Sequence, residues 1–182
     1  MPNNKNRDGT VFVPTGNPDT VNYTPNYAPG ELGVYYEFNQ NAYQIVQLDS
    51  GATSATPTGV VAANELAFWK DKANYIVTND VRFALGGQGA NSAFRNFVAG
   101  VFRVAATAGN IVHVLQKGNS IAVKSDGNGA IGDTAVCDTS TTTARVTAVT
   151  AGTAATCNPL GTIRGASSGG NINVDLNIPS VA

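Results

Sequence analysis

The stretch NINVDLNI, residues 171–178, alternates without a break. Successive side chains of an extended chain point to opposite faces, so Ile172, Val174, Leu176 and Ile178 share one side and Asn171, Asn173, Asp175 and Asn177 the other. A two-residue apolar period of this kind fits a half-buried strand. The same signal recurs upstream. TAVC (134–137) and ARVTAVTA (144–151) bracket a Thr-rich turn, DTSTTT, while NIVHVLQ (110–116) and IAVK (121–124) precede SDGNGAIGD (125–133). Asp-Gly and Asn-Gly in that last segment are turn dipeptides. NFVAGVFRVA (96–105) is a further apolar run.

Two hairpins are expected nearer the start: GVYYEF (33–38) with YQIVQL (43–48) across NQNA, and LAFWK (66–70) with YIVT (75–78) across DKAN. Residues 62–72 also read as a short helix, but their aromatic and β-branched neighbours favour strands. About ten short strands with regularly spaced turns predict an all-β domain over residues 31–182, an antiparallel sandwich, jelly-roll-like fold or small barrel.

Residues 1–30 read differently. Five of the eight prolines lie there, at Pro2, Pro14, Pro18, Pro25 and Pro29. Proline removes a backbone donor and fixes φ, which excludes a helix or a central strand. Val11, Phe12, Val13, Tyr23 and Tyr27 nevertheless give the segment something to bury, whereas solvated tails are poor in aromatic residues. We expect an extended N-terminal arm whose Val11, Phe12, Val13, Tyr23 and Tyr27 contact a neighbouring molecule.

Charged residues make up 13% of the 182 residues and the net charge is −1. No field of either sign favours nucleic acid or an anionic membrane, so neither is expected as a partner. No apolar run reaches the ~20 residues of a membrane-spanning helix. MPNNKNRDGT has no apolar core, and a secretory signal is not expected.

The chain carries few motifs suited to chemistry. Gly86, Gly87 and Gly89 suggest a phosphate loop, but Ala90, Asn91 and Ser92 follow where Lys and Ser/Thr are needed, and Ser92 replaces the third glycine of a dinucleotide fingerprint. A surface loop is the plainer reading. His113 shares a strand face with Ile111 and Leu115, as a core or interface residue would. Ser167 and Ser168 read as part of a glycine-rich loop, without the G-x-S-x-G elbow. Asp126, Asn128 and Asp133 offer oxygen ligands for calcium, but Ala130, Ile131 and Cys137 occupy the fifth, sixth and twelfth loop positions, so a turn is favoured. Glu31, Glu37 and Glu65 read as outward-facing or turn positions and form no evident catalytic pair. Cys137 and Cys157 match no metal spacing and read as reduced thiols. We therefore expect no enzyme activity, no cofactor and no metal. Tyr35, Tyr36 and Trp69 are the residues that would stack on sugar rings if the chain were instead an adhesin or carbohydrate-binding module.

Several phrases carry a resemblance. EFNQNAYQIVQLDSG (37–51), LAFWKDKANYIVTND (66–80), NFVAGVF (96–102), AGNIVHVLQKG (108–118) and VDLNIP (174–179) together resemble the decoration, or cement, proteins of tailed-bacteriophage capsids. The resemblance spans about residues 31–179 and implies a β-rich domain on the outer surface of the virion. It implies the major capsid protein as a partner, with synthesis in the host bacterial cytoplasm; the low charge and the many short strands, whose open edges invite pairing, lead us to expect other copies of this chain as partners too, in a dimer or trimer. The family has no catalytic residues to carry over, and the first 30 residues lie outside the resemblance.

Overall fold

A computed structural model describes residues 29–49, 60–85, 98–150 and 159–178. The described chain is all β, with two short 3-10 turns, Pro29–Glu31 and Val81–Leu85, and no α-helix among the described residues. The strands in chain order are β1 (Tyr35–Phe38), β2 (Asn41–Leu48), β3 (Val60–Val61), β4 (Leu66–Asp71), β5 (Ile76–Thr78), β6 (Val98–Phe102), β7 (Ala106–Thr107), β8 (Ile111–Lys124), β9 (Thr134–Cys137), β10 (Val146–Val149), β11 (Gly161–Ser168) and β12 (Asn171–Asn177).

Ten of them form one sheet, ordered β1-β2-β5-β4-β6-β8-β12-β11-β9-β10, with a further pairing of β2 to β8. That pairing closes β2, β5, β4, β6 and β8 into a five-stranded ring, a small barrel without internal edges. The second half of β8 leaves the ring and pairs along β12, from Lys117 opposite Asn177 to Lys124 opposite Asn171. β11, β9 and β10 continue outward from there. β3 and β7 make a separate two-stranded sheet.

Each apolar run explains its burial. LAFW in β4 is buried at all four positions because both faces are covered. Leu66 and Phe68 join one core with Tyr36, Tyr43, Ile45, Val101 and Leu115, and this core continues to Ile163, Ile172, Val174 and Leu176. Ala67 and Trp69 face a second core with Val46, Leu48, Val77, Ala99, Phe102, Val112 and Val114, drawn from all five strands of the ring. A strand covered on both faces reads as a continuous apolar run, which is why 62–72 carried a helical alternative and why strand pairing prevails there.

Four expectations need correction. The sheet is mixed, since Gln47 and Leu48 of β2 pair in parallel with Ile76 and Val77 of β5. NIVHVLQ and IAVK form one 14-residue strand, β8. The intervening KGNS contains a bulge: Val174 pairs with Ile121 and Leu176 with Gly118, so residues 119 and 120 together stand opposite Asp175. Ser120 has φ +52°, and its N–H donates to Asp175 Oδ1 at 2.9 Å, which holds the bulge. The four-residue NQNA loop is a two-residue turn at Asn39-Gln40, both with positive φ, because Asn41 and Ala42 already pair with Phe38 and Glu37. Finally, Ser167 and Ser168 belong to strand β11. The next two residues, Gly169 and Gly170, have φ +60° and +76° and turn the chain into β12, a conformation glycine adopts without strain.

The strand reading of residues 171–178 holds. Ile172, Val174, Leu176 and Ile178 are buried, and Asn173 and Asn177 are exposed.

Candidate functional site

The arm residues Val11, Phe12, Val13, Tyr23 and Tyr27 lie outside the described residues, as do Gly86, Gly87, Gly89 and Cys157. The described chain enters the fold at the 3-10 turn Pro29–Glu31, where Val34 N donates to Glu31 O at 3.1 Å. Gly33 N then donates to Ile45 O and hands the chain to β1, which with β10 forms the two edges of the sheet among the described strands. A side chain on Gly33, whose φ is +81°, would fall inside the ring of Tyr75.

The aromatic residues are divided by this strand. Tyr36 is fully buried and stacks on Tyr43, while Tyr35, one residue earlier, is 42% exposed. Partial burial and the neighbouring Glu37 carboxylate raise the Tyr35 phenol above its ordinary value. Trp69 is buried in the ring core. Of the three residues suited to stacking on a sugar, only Tyr35 therefore faces solvent. Ile131, on the turn after β8, is the other exposed large hydrophobic among the described residues, at 71%.

His113 is completely buried and meets Tyr43 edge-to-face, ring centroids 5.4 Å apart at 86°. It occupies a core position of β8, opposite Ile45. Ser168 lies opposite Asn171 on the β11–β12 hairpin. Cys137 is buried at the end of β9, in the core with Ile163 and Ile172.

The acidic side chains considered for calcium hold the turn that follows β8. Asp126 accepts hydrogen bonds from Asn128 N (2.9 Å), Asn128 Nδ2 (3.0 Å) and Thr147 Oγ1 (2.7 Å). Burial pushes the Asp126 carboxyl up, but the bonds from Thr147 and Asn128 outweigh this and leave it below its usual range. Asp133 Oδ2 accepts from Ala130 N at 2.9 Å. No cluster of three or more His, Cys, Asp or Glu suited to a metal occurs among the described residues.

Glu65 corrects the expectation of outward-facing glutamates. It is 4% exposed, whereas Glu37 is exposed and Glu31 half-buried. Its Oε1 receives Lys124 Nζ at 2.8 Å; its Oε2 receives Asn79 Nδ2 at 3.0 Å and Ala62 N at 3.2 Å. The backbone is tied down on both sides: Asn64 N donates to Phe102 O (2.7 Å), Phe102 N to Glu65 O (2.9 Å) and Lys124 N to Asn64 O (2.8 Å). Arg103 Nη1 adds a bond to Asn64 Oδ1 at 3.1 Å. Charges buried in this way are kept only when paired. Glu65, Asn79 and Lys124 carry no local sequence signature, because the contact joins positions 14 and 59 residues apart.

No known protein family, curated protein or solved structure matches this chain.

Proposed function

We propose that this chain is a structural virion protein that decorates the outside of a bacteriophage head. There it bridges major capsid protein subunits and stabilises the expanded shell, without enzymatic turnover. The observation that carries this reading is the use to which its aromatic and ionic side chains are put. Tyr36, Tyr43, Phe68, Trp69 and Phe102 fill the two cores. Glu65, Asp126, Asp138 and Asp175 are engaged in bonds that hold strands and turns together. This is the economy of a part built for rigidity, and it leaves an edge strand and a proline-rich arm for contact with neighbours.

The described surface is less suited to the alternative of a carbohydrate-binding or adhesive module. Such a module presents a platform of aromatic rings, and Tyr35 stands alone in that role. The deciding experiment is quantitative mass spectrometry of purified virions together with a map of the head. We expect the chain at stoichiometric copy number on the outer surface, in contact with the major capsid protein and with copies of itself. Its absence from virions, or its presence only in traces, overturns the proposal.

A further inference from the structure

Glu65 bridges two nitrogens of different chemistry with the two oxygens of one carboxylate. The Lys124 amine lies 2.8 Å from Oε1 and the Asn79 carboxamide nitrogen 3.0 Å from Oε2. A nucleophile, a carboxamide and a proton carrier thus meet at a site where Asn79 is fully buried and the Glu65 side chain is 5% exposed. Asn79 Oδ1 is itself buried and has no hydrogen-bond partner. A buried carbonyl oxygen left in this state asks for an explanation beyond structural support, since packing alone would be better served by an apolar residue or a satisfied amide.

We propose that Lys124 and Asn79 join in a self-catalysed amide cross-link, with Glu65 as the catalytic proton carrier. Lys124 Nζ attacks Asn79 Cγ; a Cγ–Nζ bond forms and the Cγ–Nδ2 bond breaks. Starting from the ammonium form, Lys124 gives up two protons. Glu65 takes the first on Oε1, which frees the lone pair for attack; a half-turn of the carboxylic acid about Cγ–Cδ then brings Oε1 to Nδ2, which receives that proton as it leaves. The second proton follows the same route. Nitrogen departs as ammonium, so one positive charge is present before and after, and Glu65 returns to a carboxylate. The step is neither oxidation nor reduction and needs no co-reactant.

The surroundings suit it. A relay of protons between groups held within hydrogen-bond reach is the geometric requirement for general acid–base catalysis. Holding both reacting groups on the two oxygens of one carboxylate replaces a bimolecular encounter. The backbones of both reacting segments are held: Lys124 N is bonded to Asn64 O, and Asp80 N, next to Asn79, to Thr78 Oγ1 at 3.2 Å. The Lys124 side chain is 37% exposed, which leaves the released ammonium a way out. The bond would tie the end of β5 in the ring to the far end of β8, where it pairs with β12.

The test is mass spectrometry of the full-length folded chain. We expect an intact mass about 17 Da below that of the sequence, the mass of one ammonia. Trypsin should release a branched peptide that joins Asn79 to Lys124, with no cleavage after Lys124. Lys124→Arg, which keeps a cation beside Glu65, and Glu65→Gln should both show the full sequence mass. A wild-type chain of full mass overturns the proposal. So does a loss of ammonia confined to a linear peptide at Asn128-Gly129, where succinimide formation gives the same mass. A cross-link that persists in Glu65→Gln removes Glu65 from the chemistry. The wild-type measurement decides the existence of the bond even if a variant fails to fold.

Discussion

Tyr36 and Tyr43 face each other directly across β1 and β2, and their rings stack with centroids 5.2 Å apart and planes 17° from parallel. Tyr43 in turn packs against the edge of His113. The edge strand is thus fastened to the core by a cross-strand aromatic pair, the unit that stabilises sheets. Replacing Tyr36 with Ala removes a fully buried ring and should cost about 3–5 kcal/mol. Tyr35→Ala, at the exposed neighbouring position, should stay within about 0.5 kcal/mol. Urea denaturation of both variants checks the contrast; equal losses would contradict the packing described.

Gly33 makes a second prediction. An added methyl group would meet the Tyr75 ring and would also sit at φ +81°. Gly33→Ala should therefore destabilise by about 1–3 kcal/mol from overpacking, beyond the backbone term. Gly109→Ala isolates that backbone term, because Gly109 has φ +83° with open space around its Cα. A thermal-unfolding comparison should rank Gly33→Ala well below Gly109→Ala.

The third prediction concerns acid. Burial raises the Asp138 carboxyl, but bonds from Ser140 and the Arg145 guanidinium more than reverse this and hold it below its ordinary value. Asp126 is lowered in the same way. In the unfolded chain both groups titrate near the ordinary value of about 3.9. Their contribution is complete above that value and is lost as pH falls from there through the lower folded values. Stability should be flat with respect to these groups from neutral pH down to about 4, and fall below it. Asp138→Asn should cost about 1–3 kcal/mol at pH 7 and reduce the slope below pH 4. Denaturation curves between pH 7 and 2.5 decide this; an unchanged slope would show that Asp138 is not linked to acid unfolding.

The fourth prediction tests the arm. Cutting at residue 28 preserves the Pro29–Glu31 turn and its Val34–Glu31 bond. The truncated chain should keep its β-domain circular-dichroism spectrum, because every described strand begins later. On the decoration role proposed above, its binding to capsids that lack the full-length chain should weaken at least tenfold, which corresponds to about 1.4 kcal/mol. Unchanged decoration would reduce the arm to a tail.

The strands were legible where one face is buried and the other wet, as in residues 171–178, because the pattern itself records the two environments. They were also legible in Val98–Phe102 and Leu66–Asp71, though without a facing, since both sides are covered. β11 was missed: TIRGASS is short of large apolar residues, and only the Gly169-Gly170 pair before NINVDLNI hints at the hairpin. The KGNS bulge passed for a break because glycine, asparagine and serine mark turns equally well, and what keeps β8 continuous is Asp175 on another strand. The Glu65 site was hidden for the same reason. Its members acquire meaning only when the ring closes and brings the end of β8 beside the start of β4.

The long strand β8 also sets a schedule for synthesis. The strand pairings of the ring involve nothing beyond residue 117, whereas the outer half of β8 waits for β12, the last described strand. On the ribosome, residues 118–124 must emerge and persist without their sheet partner while roughly fifty further residues are made, several seconds at ordinary elongation rates. Those residues place Ile121 and Val123 on one face of an extended segment, able to pair with any passing strand. The bulge at residues 119–120 kinks the strand where this unpartnered half begins, and bulges of this kind discourage edge-to-edge pairing. A nascent chain arrested before residue 171 should accordingly already hold a protease-resistant ring, while its β9–β11 region remains open to cleavage.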